Sequence, residues 1–303
     1  MRILISGASG LVGTAATVAL RAEGHAVAHF VRPGASADAG DVRWDPAAGT
    51  VDRDAMEGAD AIIHLAGAGI GDGRWTEARK KVLRSSRVDS TRILVDAMAT
   101  LRRKPRAFLA ASATGYYGNR GDELLTESSA NGSGFLAALA RDWEAEASRA
   151  DALGVRTVLL RFGVVLSLRG GALPRMLTPF KLGLGGRLGG GEQWMSWIAL
   201  EDVMGVTRAA LNDERFSGPV NLVAPNPARN VEFTRVLARV LRRPAILPAP
   251  VFALRLALGR EMADELLLAS QRVQPQKLLA SGYAFRLPEL EPALRSALAE
   301  PKP

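Results

Sequence analysis

The chain of 303 residues contains no cysteine. That excludes disulfides, thiolate metal ligands and a cysteine nucleophile, and it suits a cytoplasmic setting. Histidine is nearly as scarce. His25, His29 and His64 are too few and too scattered for a zinc cluster, so no metal is expected. No run of about 18 uncharged apolar residues occurs, so neither a spanning segment nor a membrane partner is expected. With apolar residues already at Ile3, no leader segment is expected either. Aromatic residues make up 6% of the chain. None interleaves the basic tracts Arg79-Lys80-Lys81, Arg102-Arg103-Lys104 and Arg242-Arg243. A formal charge of +8 therefore does not point to nucleic acid; it reads as a solvated surface with some cations left for small anionic ligands.

What is present organises itself around residues 3–13. Ile3-Leu4-Ile5 reads as a buried parallel strand. Gly7, Gly10 and Gly13 follow at G-x-x-G-x-x-G spacing. Leu11–Ala22 then reads as a helix, with Leu11, Ala15, Val18, Ala19 and Ala22 on its apolar face. Strand, glycine turn and helix open a dinucleotide-binding unit, in which the diphosphate rests on free N–H groups at the helix start. The second strand, Ala26–Val31, runs into Arg32-Pro33-Gly34, and no acid stands at positions 30–37. A carboxylate there would accept from a ribose 2′-hydroxyl, whereas the Arg32 guanidinium suits a 2′-phosphate. The cofactor expected is NADP(H).

The remaining chain reads as an α/β alternation. Residues 41–60 look like loop, with Trp44 and Asp45 as candidates to flank an adenine. Ala61–Leu65 is a strand, and His64 within it reads as a core residue. A long helix spans about Thr76–Thr100, and its Arg84–Val88 segment has a polar face suited to phosphates. The strand Ala107–Ala111 ends in Ser112-Ala113-Thr114-Gly115-Tyr116-Tyr117, hydroxyls placed where such sheets bind reacting groups. Phe135–Ala150 is a helix, and Val155–Leu160 is a strand ending at Arg161. From Gly170 to Trp197 the glycine-rich chain reads as a binding loop, in which Arg187, Gln193 and Trp197 are candidate substrate contacts. Ile198–Leu211, Val231–Leu241 and Val251–Leu258 are helical. Val220–Val223 reads as a strand returning to the main sheet.

These residues resemble the extended short-chain dehydrogenase/reductases, and more closely their atypical epimerase-like (YfcH-like) subgroup. The resemblance covers essentially the whole chain. It rests on Gly7–Gly13, Leu65-Ala66-Gly67, Arg74-Trp75, Ser112–Gly118, Trp143-Glu144, Arg161–Leu166, Pro179-Phe180, Gly183–Gly191, Trp197-Ile198, Asn230, Arg243-Pro244 and Gly282–Phe285. It implies a Rossmann-type doubly wound parallel sheet over residues 1–166, with a smaller substrate lobe over 167–303. That lobe includes a small C-terminal domain at about 248–298. It also implies bound NADP(H), with contacts at Gly7, Gly10, Leu11, Val12, Gly13, Arg32, Leu65, Ala66 and Arg87, and with Arg161 near the nicotinamide. A homodimer is implied by analogy.

The larger superfamily places a Tyr-x-x-x-Lys proton relay on the helix after the serine-bearing strand. Here the slot holds Phe135 and Leu139, which have no proton to exchange. Ser112, Thr114, Tyr116 and Tyr117 remain as candidate donors, with Arg161 or Arg187 as the cation needed to lower a tyrosine pKa. Two functions follow. One is an oxidoreductase or epimerase acting on a polar small molecule, with a sugar nucleotide as one option. The other is a non-catalytic NADP(H) sensor.

Overall fold

The computed structural model describes residues 1–299. In chain order, β1 (Arg2–Ser6), α1 (Leu11–Ala22), β2 (Ala26–Val31), β3 (Val42–Asp45), β4 (Thr50–Val51), α2 (Arg53–Met56) and β5 (Ala61–His64) come first. Next are α3 (Glu77–Arg84), α4 (Ser90–Thr100), β6 (Ala107–Ala113), β7 (Leu124–Leu125), α5 (Phe135–Ser148), β8 (Arg156–Phe162) and β9 (Val164–Leu166). Then follow α6 (Leu173–Lys181), β10 (Trp194–Met195), β11 (Trp197–Ala199), α7 (Leu200–Asn212), β12 (Gly218–Leu222) and β13 (Ala228–Arg229). The last are α8 (Asn230–Leu241), α9 (Val251–Leu258), α10 (Arg260–Met262), β14 (Arg272–Val273), α11 (Gln276–Ala280) and α12 (Leu290–Ala299).

The main sheet has eight strands in the order β12-β8-β6-β5-β1-β2-β3-β4. All neighbours run parallel except the β3–β4 hairpin. Both faces are covered. Ile3 and Ile5 of β1 join one apolar cluster with α1 and α7, while Leu4 joins the other with α4 and the end of α5. That is why β1 reads as an unbroken apolar run instead of an alternating one. A third cluster, built on Leu173, Phe180, Trp197, Phe233, Leu237 and Leu294, forms the core of the smaller lobe. Strand order reverses between β1 and β5, the switch point outside whose carboxyl ends such sheets bind their ligands. Among the described residues, no helix is long and apolar enough to cross a membrane.

Several expectations are corrected here. Residues 41–60 are not plain loop: Val42 and Trp44 are buried, and β3 extends the sheet beyond β2. The glycine-rich stretch holds α6, whose Leu173, Leu177 and Phe180 pack into the lobe core. The buried stripe of α1 is Gly13, Ala16, Thr17 and Leu20, while Val18 is 66% exposed. A Cβ on Gly13 would lie 2.2 Å from the Gly7 carbonyl oxygen, so this backbone contact sets which stripe faces inward. Of the expected face, Leu11, Ala15 and Ala19 pack half-buried against the core, whereas Val18 and Ala22 are exposed.

Candidate cofactor and substrate site

The start of α1 is a site for an anion. Gly7 sits at φ +69°, and a Cβ there would strike the Leu65 backbone at 2.7 Å. The turn can therefore close against β5 only with glycine. Gly10 occupies the N-cap position without a side-chain cap, and the first turn of α1 holds no acid. The N–H groups of Leu11, Val12 and Gly13 thus have no hydrogen-bond partner among the described residues, and no acid of the first turn opposes the positive helix end. Leu65 and Ala66 form the facing wall. Their N–H groups donate to Ser6 Oγ at 3.2 and 3.3 Å, which pins the β5 exit to β1.

His64 locks this crossing from below. Its Nδ1 lies 2.6 Å from Ser6 Oγ, and its Nε2 lies 3.3 Å from Ser90 Oγ. Complete burial pushes its pKa down to about 3. Since this lies below the unfolded value of ~6.5, the stability tied to His64 is intact above that value. It is lost as pH falls toward 3, by at most ~1.4 kcal/mol per unit. The expected NMR result is a His64 ring signal that keeps its neutral position from about pH 7 down to about pH 5; movement across that interval would contradict the burial argument. Trp44 packs on this core at 5.5 Å from Phe30 and 6.1 Å from His64, so it does not flank an adenine.

Two cations stand at the carboxyl ends of β2 and β5. Arg32 leaves the end of β2, exposed and without a carboxylate partner among the described residues. Arg87 lies in a π-helical turn, Ser85–Asp89, between α3 and α4. Its guanidinium donates to the carbonyls of Leu83 and Ala68 and lies 5.4 Å from the Trp143 ring. It also stands 3.2 Å from where a Cβ on Gly67 would be. Burial pushes the Arg87 pKa down to about 10, with the charge of Arg79 adding to the effect. A largely desolvated cation without a counter-ion, against the chain that leaves β5, fits an anionic part of a dinucleotide.

The hydroxyl group of candidates divides. Ser112 Oγ donates to Glu144 at 2.6 Å and is buried. Tyr117 is fully buried, with its hydroxyl donating to Asn221 at 2.7 Å and accepting from Arg161 at 2.9 Å. Burial pushes its pKa up to about 12, despite the Arg161 charge. Neither is free to exchange a proton with a ligand. Thr114 and Tyr116 have no side-chain hydrogen-bond partner among the described residues.

Arg161 is also committed elsewhere. It makes two bonds to Glu144, at 2.7 and 2.8 Å, and is 3% exposed. Burial opposes its charge, but Glu144 outweighs that and raises its pKa. It is a structural hub, with the Tyr116 ring lying 3.6 Å over it. The sequence reading assigned no role to Glu144. Its signal was the Trp143-Glu144 pair, which only acquires meaning once α5 is seen to cross β8.

The relay slot is apolar. Phe135 packs on Trp75 at 5.2 Å, and Leu139 is buried with Trp143 and Met262. Glu265 caps α5 by accepting from Phe135 N and Leu136 N at 2.9 and 2.8 Å, a contact with no sequence signal because 130 residues separate the partners. The three expected substrate contacts are dispersed. Gln193 lines a cavity of about 610 Å³, but its amide donates to the carbonyls of Leu188 and Leu267 and holds the loop. Trp197 lies fully in the lobe core, because β11 pairs with β9 beneath the loop. Arg187 is exposed on a separate groove. The cations of the 610 Å³ cavity are paired internally, Arg229 with Asp122 and Glu192, and Arg255 with Asp264.

Residues 3–223 match the model of the NAD dependent epimerase/dehydratase family. The chain belongs to that family. Residues 249–297 match a domain of unknown function, DUF1731. Epimerase family protein YfhF of Bacillus subtilis is 38% identical over 306 residues, spanning 100% of this chain and 99% of its own. The crystal structure of human epimerase family protein SDR39U1 (isoform 2) with NADPH superposes with a TM-score of 0.89 at 35% identity, over 99% of this chain and 100% of that one. A nucleoside-diphosphate sugar epimerase from Corynebacterium glutamicum has a TM-score of 0.82 at 36% identity, over 98% of this chain and 58% of that one. The epimerase/dehydratase family member described here thus shares its whole length with epimerase family proteins.

Proposed function

We propose that this chain binds NADP(H) and works as an oxidoreductase or epimerase on a polar small molecule. The observation that carries the reading is the uncapped, acid-free start of α1 at the switch point, with Arg87 and Arg32 both free of carboxylates. The NADPH bound by human SDR39U1 supports the same choice of cofactor. Leu11, Val12 and Gly13 would hold the diphosphate, Arg32 the 2′-phosphate, and Leu65 and Ala66 the wall beside the ribose. A nicotinamide, when bound, supplies two-electron redox chemistry. The protein's part is orientation, exclusion of water and transfer of a proton; Tyr116 Oη is the candidate donor, with Thr114 Oγ1 as a hydrogen-bonding partner for substrate.

A second reading, a non-catalytic sensor, is favoured by the apolar Phe135/Leu139 slot. A panel of carbonyl substrates with NADPH separates the two, since steady turnover eliminates the sensor and tight binding without turnover eliminates the enzyme. Cofactor choice has its own test. Arg32→Ala is expected to weaken NADPH by about tenfold while leaving NADH unchanged. Titration by cofactor fluorescence checks this, and equal losses for both cofactors would remove Arg32 as the phosphate reader.

A further inference from the structure

One face of the smaller lobe is built unlike the rest of the surface. Helix α9 buries none of its residues. Phe252 and Leu256, four apart and so on one strip, are 73% and 74% exposed. The preceding segment adds Ile246, at 81% exposure, and Leu247. Leu182 and Leu184 are also exposed and lead into the chain that runs beside that segment. Ala249 N donates to Arg187 O at 2.8 Å, Gly189 N donates to Ala249 O at 2.9 Å, and a Cβ on Gly186 would meet Leu247 O. Six of the ten large apolar side chains exposed among the described residues therefore fall in these adjoining segments.

Beside them lies a groove of about 670 Å³ lined by Arg187, Arg235, Arg239, Arg242 and Arg243, with no acid on its walls. Ile246 lines the same groove, which joins the apolar and basic parts into one surface. Arg239 pairs with Glu291 at 2.9 Å. The other four have no carboxylate partner among the described residues. Arg235 and Arg239 stand four apart along α8, an arrangement that like-charge repulsion disfavours, and Arg242 and Arg243 follow directly after its end. The helix C-terminus favours nearby cations, which accounts for Arg239 in the last turn and for Arg242 and Arg243 just past it, but not for Arg187 or Arg235.

We propose that this face docks on an anionic phospholipid surface. Guanidinium groups meet headgroup phosphates with two donors each, and Phe252, Leu256 and Ile246 enter the shallow interfacial layer beside them. Apolar side chains rimmed by unpaired cations match that boundary, where negative charge and hydrocarbon lie within a few ångströms of each other. A second copy of this chain brings more arginines to a groove whose walls hold no acid. The expectation of no membrane partner rested on the lack of a spanning run, which a peripheral contact does not need.

The test uses the full chain and vesicle co-sedimentation. Binding is expected to phosphatidylglycerol-rich vesicles and not to pure phosphatidylcholine vesicles, weakening about tenfold or more as salt is raised through the physiological range. Arg235→Glu/Arg243→Glu and Phe252→Asp/Leu256→Asp are each expected to abolish it. Both pairs are expected to keep NADPH fluorescence titrations unchanged, which shows that they are folded. Failure of the native chain to bind phosphatidylglycerol vesicles overturns the proposal, as does unaltered binding by either variant. A dimer dispersed by Phe252→Asp/Leu256→Asp, without vesicle binding, overturns it in favour of self-association.

Discussion

Arg161→Met is expected to lose about 3–5 kcal/mol of folding stability, read as a lower urea midpoint. Arg161 and Glu144 lie on neighbouring elements, β8 and α5, and both are almost wholly buried. Their attraction has to offset the desolvation of two charges, so the net worth of the pair is small. Removing one partner is different. Met at position 161 strands the Glu144 carboxylate in the core, with Ser112 as its remaining donor, and strips the Tyr117 hydroxyl of a donor. The double variant Arg161→Met/Glu144→Leu removes both charges and is expected to recover part of the loss. Chemical denaturation of the native chain, both single variants and the double variant gives the coupling directly. If the singles lose no more than surface substitutions do, the buried pair does not anchor α5 to the sheet.

Gly13→Ala is expected to weaken NADPH binding by about a hundredfold and to remove about 3 kcal/mol of stability. The added Cβ would stand 2.2 Å from Gly7 O and 2.7 Å from Ala8 Cα, both backbone atoms of the turn. Neither can rotate away, so α1 must lift and carry its N–H groups out of position. Gly10→Ala is the informative comparison. Its Cβ meets only the Gly7 carbonyl oxygen, at 3.3 Å, and the position is exposed. Stability is therefore expected to hold while cofactor affinity falls, because the methyl group stands where the diphosphate must approach the backbone. Fluorescence titration and thermal unfolding separate the two effects. Native affinity in Gly13→Ala would mean that the turn is not the cradle.

The sheet was legible where local pattern and global role agree. β1, β2, β5, β8 and the returning β12 are short apolar runs ending in small or polar residues, and a strand buried on both faces has little else to be. The glycine turn was legible because its geometry admits few alternatives. β3 was not, since Val42 and Trp44 sit among charged and glycine-rich neighbours, and their burial comes from pairing beside β2. α6 was obscured by flanking glycines and by Pro174 and Pro179. In the site, residue type suggested hydroxyl chemistry but could not say which hydroxyls were already satisfied. Tyr117 meets Asn221 across 104 positions of chain, and that distance in sequence is why its role as a buried strut could only be seen in the fold.

The eighth-strand arrangement has a consequence for biogenesis. β12 supplies the outer neighbour of β8, with Gly218–Leu222 aligned on Val158–Phe162. During synthesis the β8 rim emerges more than fifty residues before that partner exists. Until then it offers Val158, Leu159 and Leu160 as a bare template for strand addition by other chains. Release of the nascent polypeptide anywhere between Leu166 and Gly218 leaves this rim open. The intervening segment therefore delays closure of the main sheet and makes truncated products prone to aggregate.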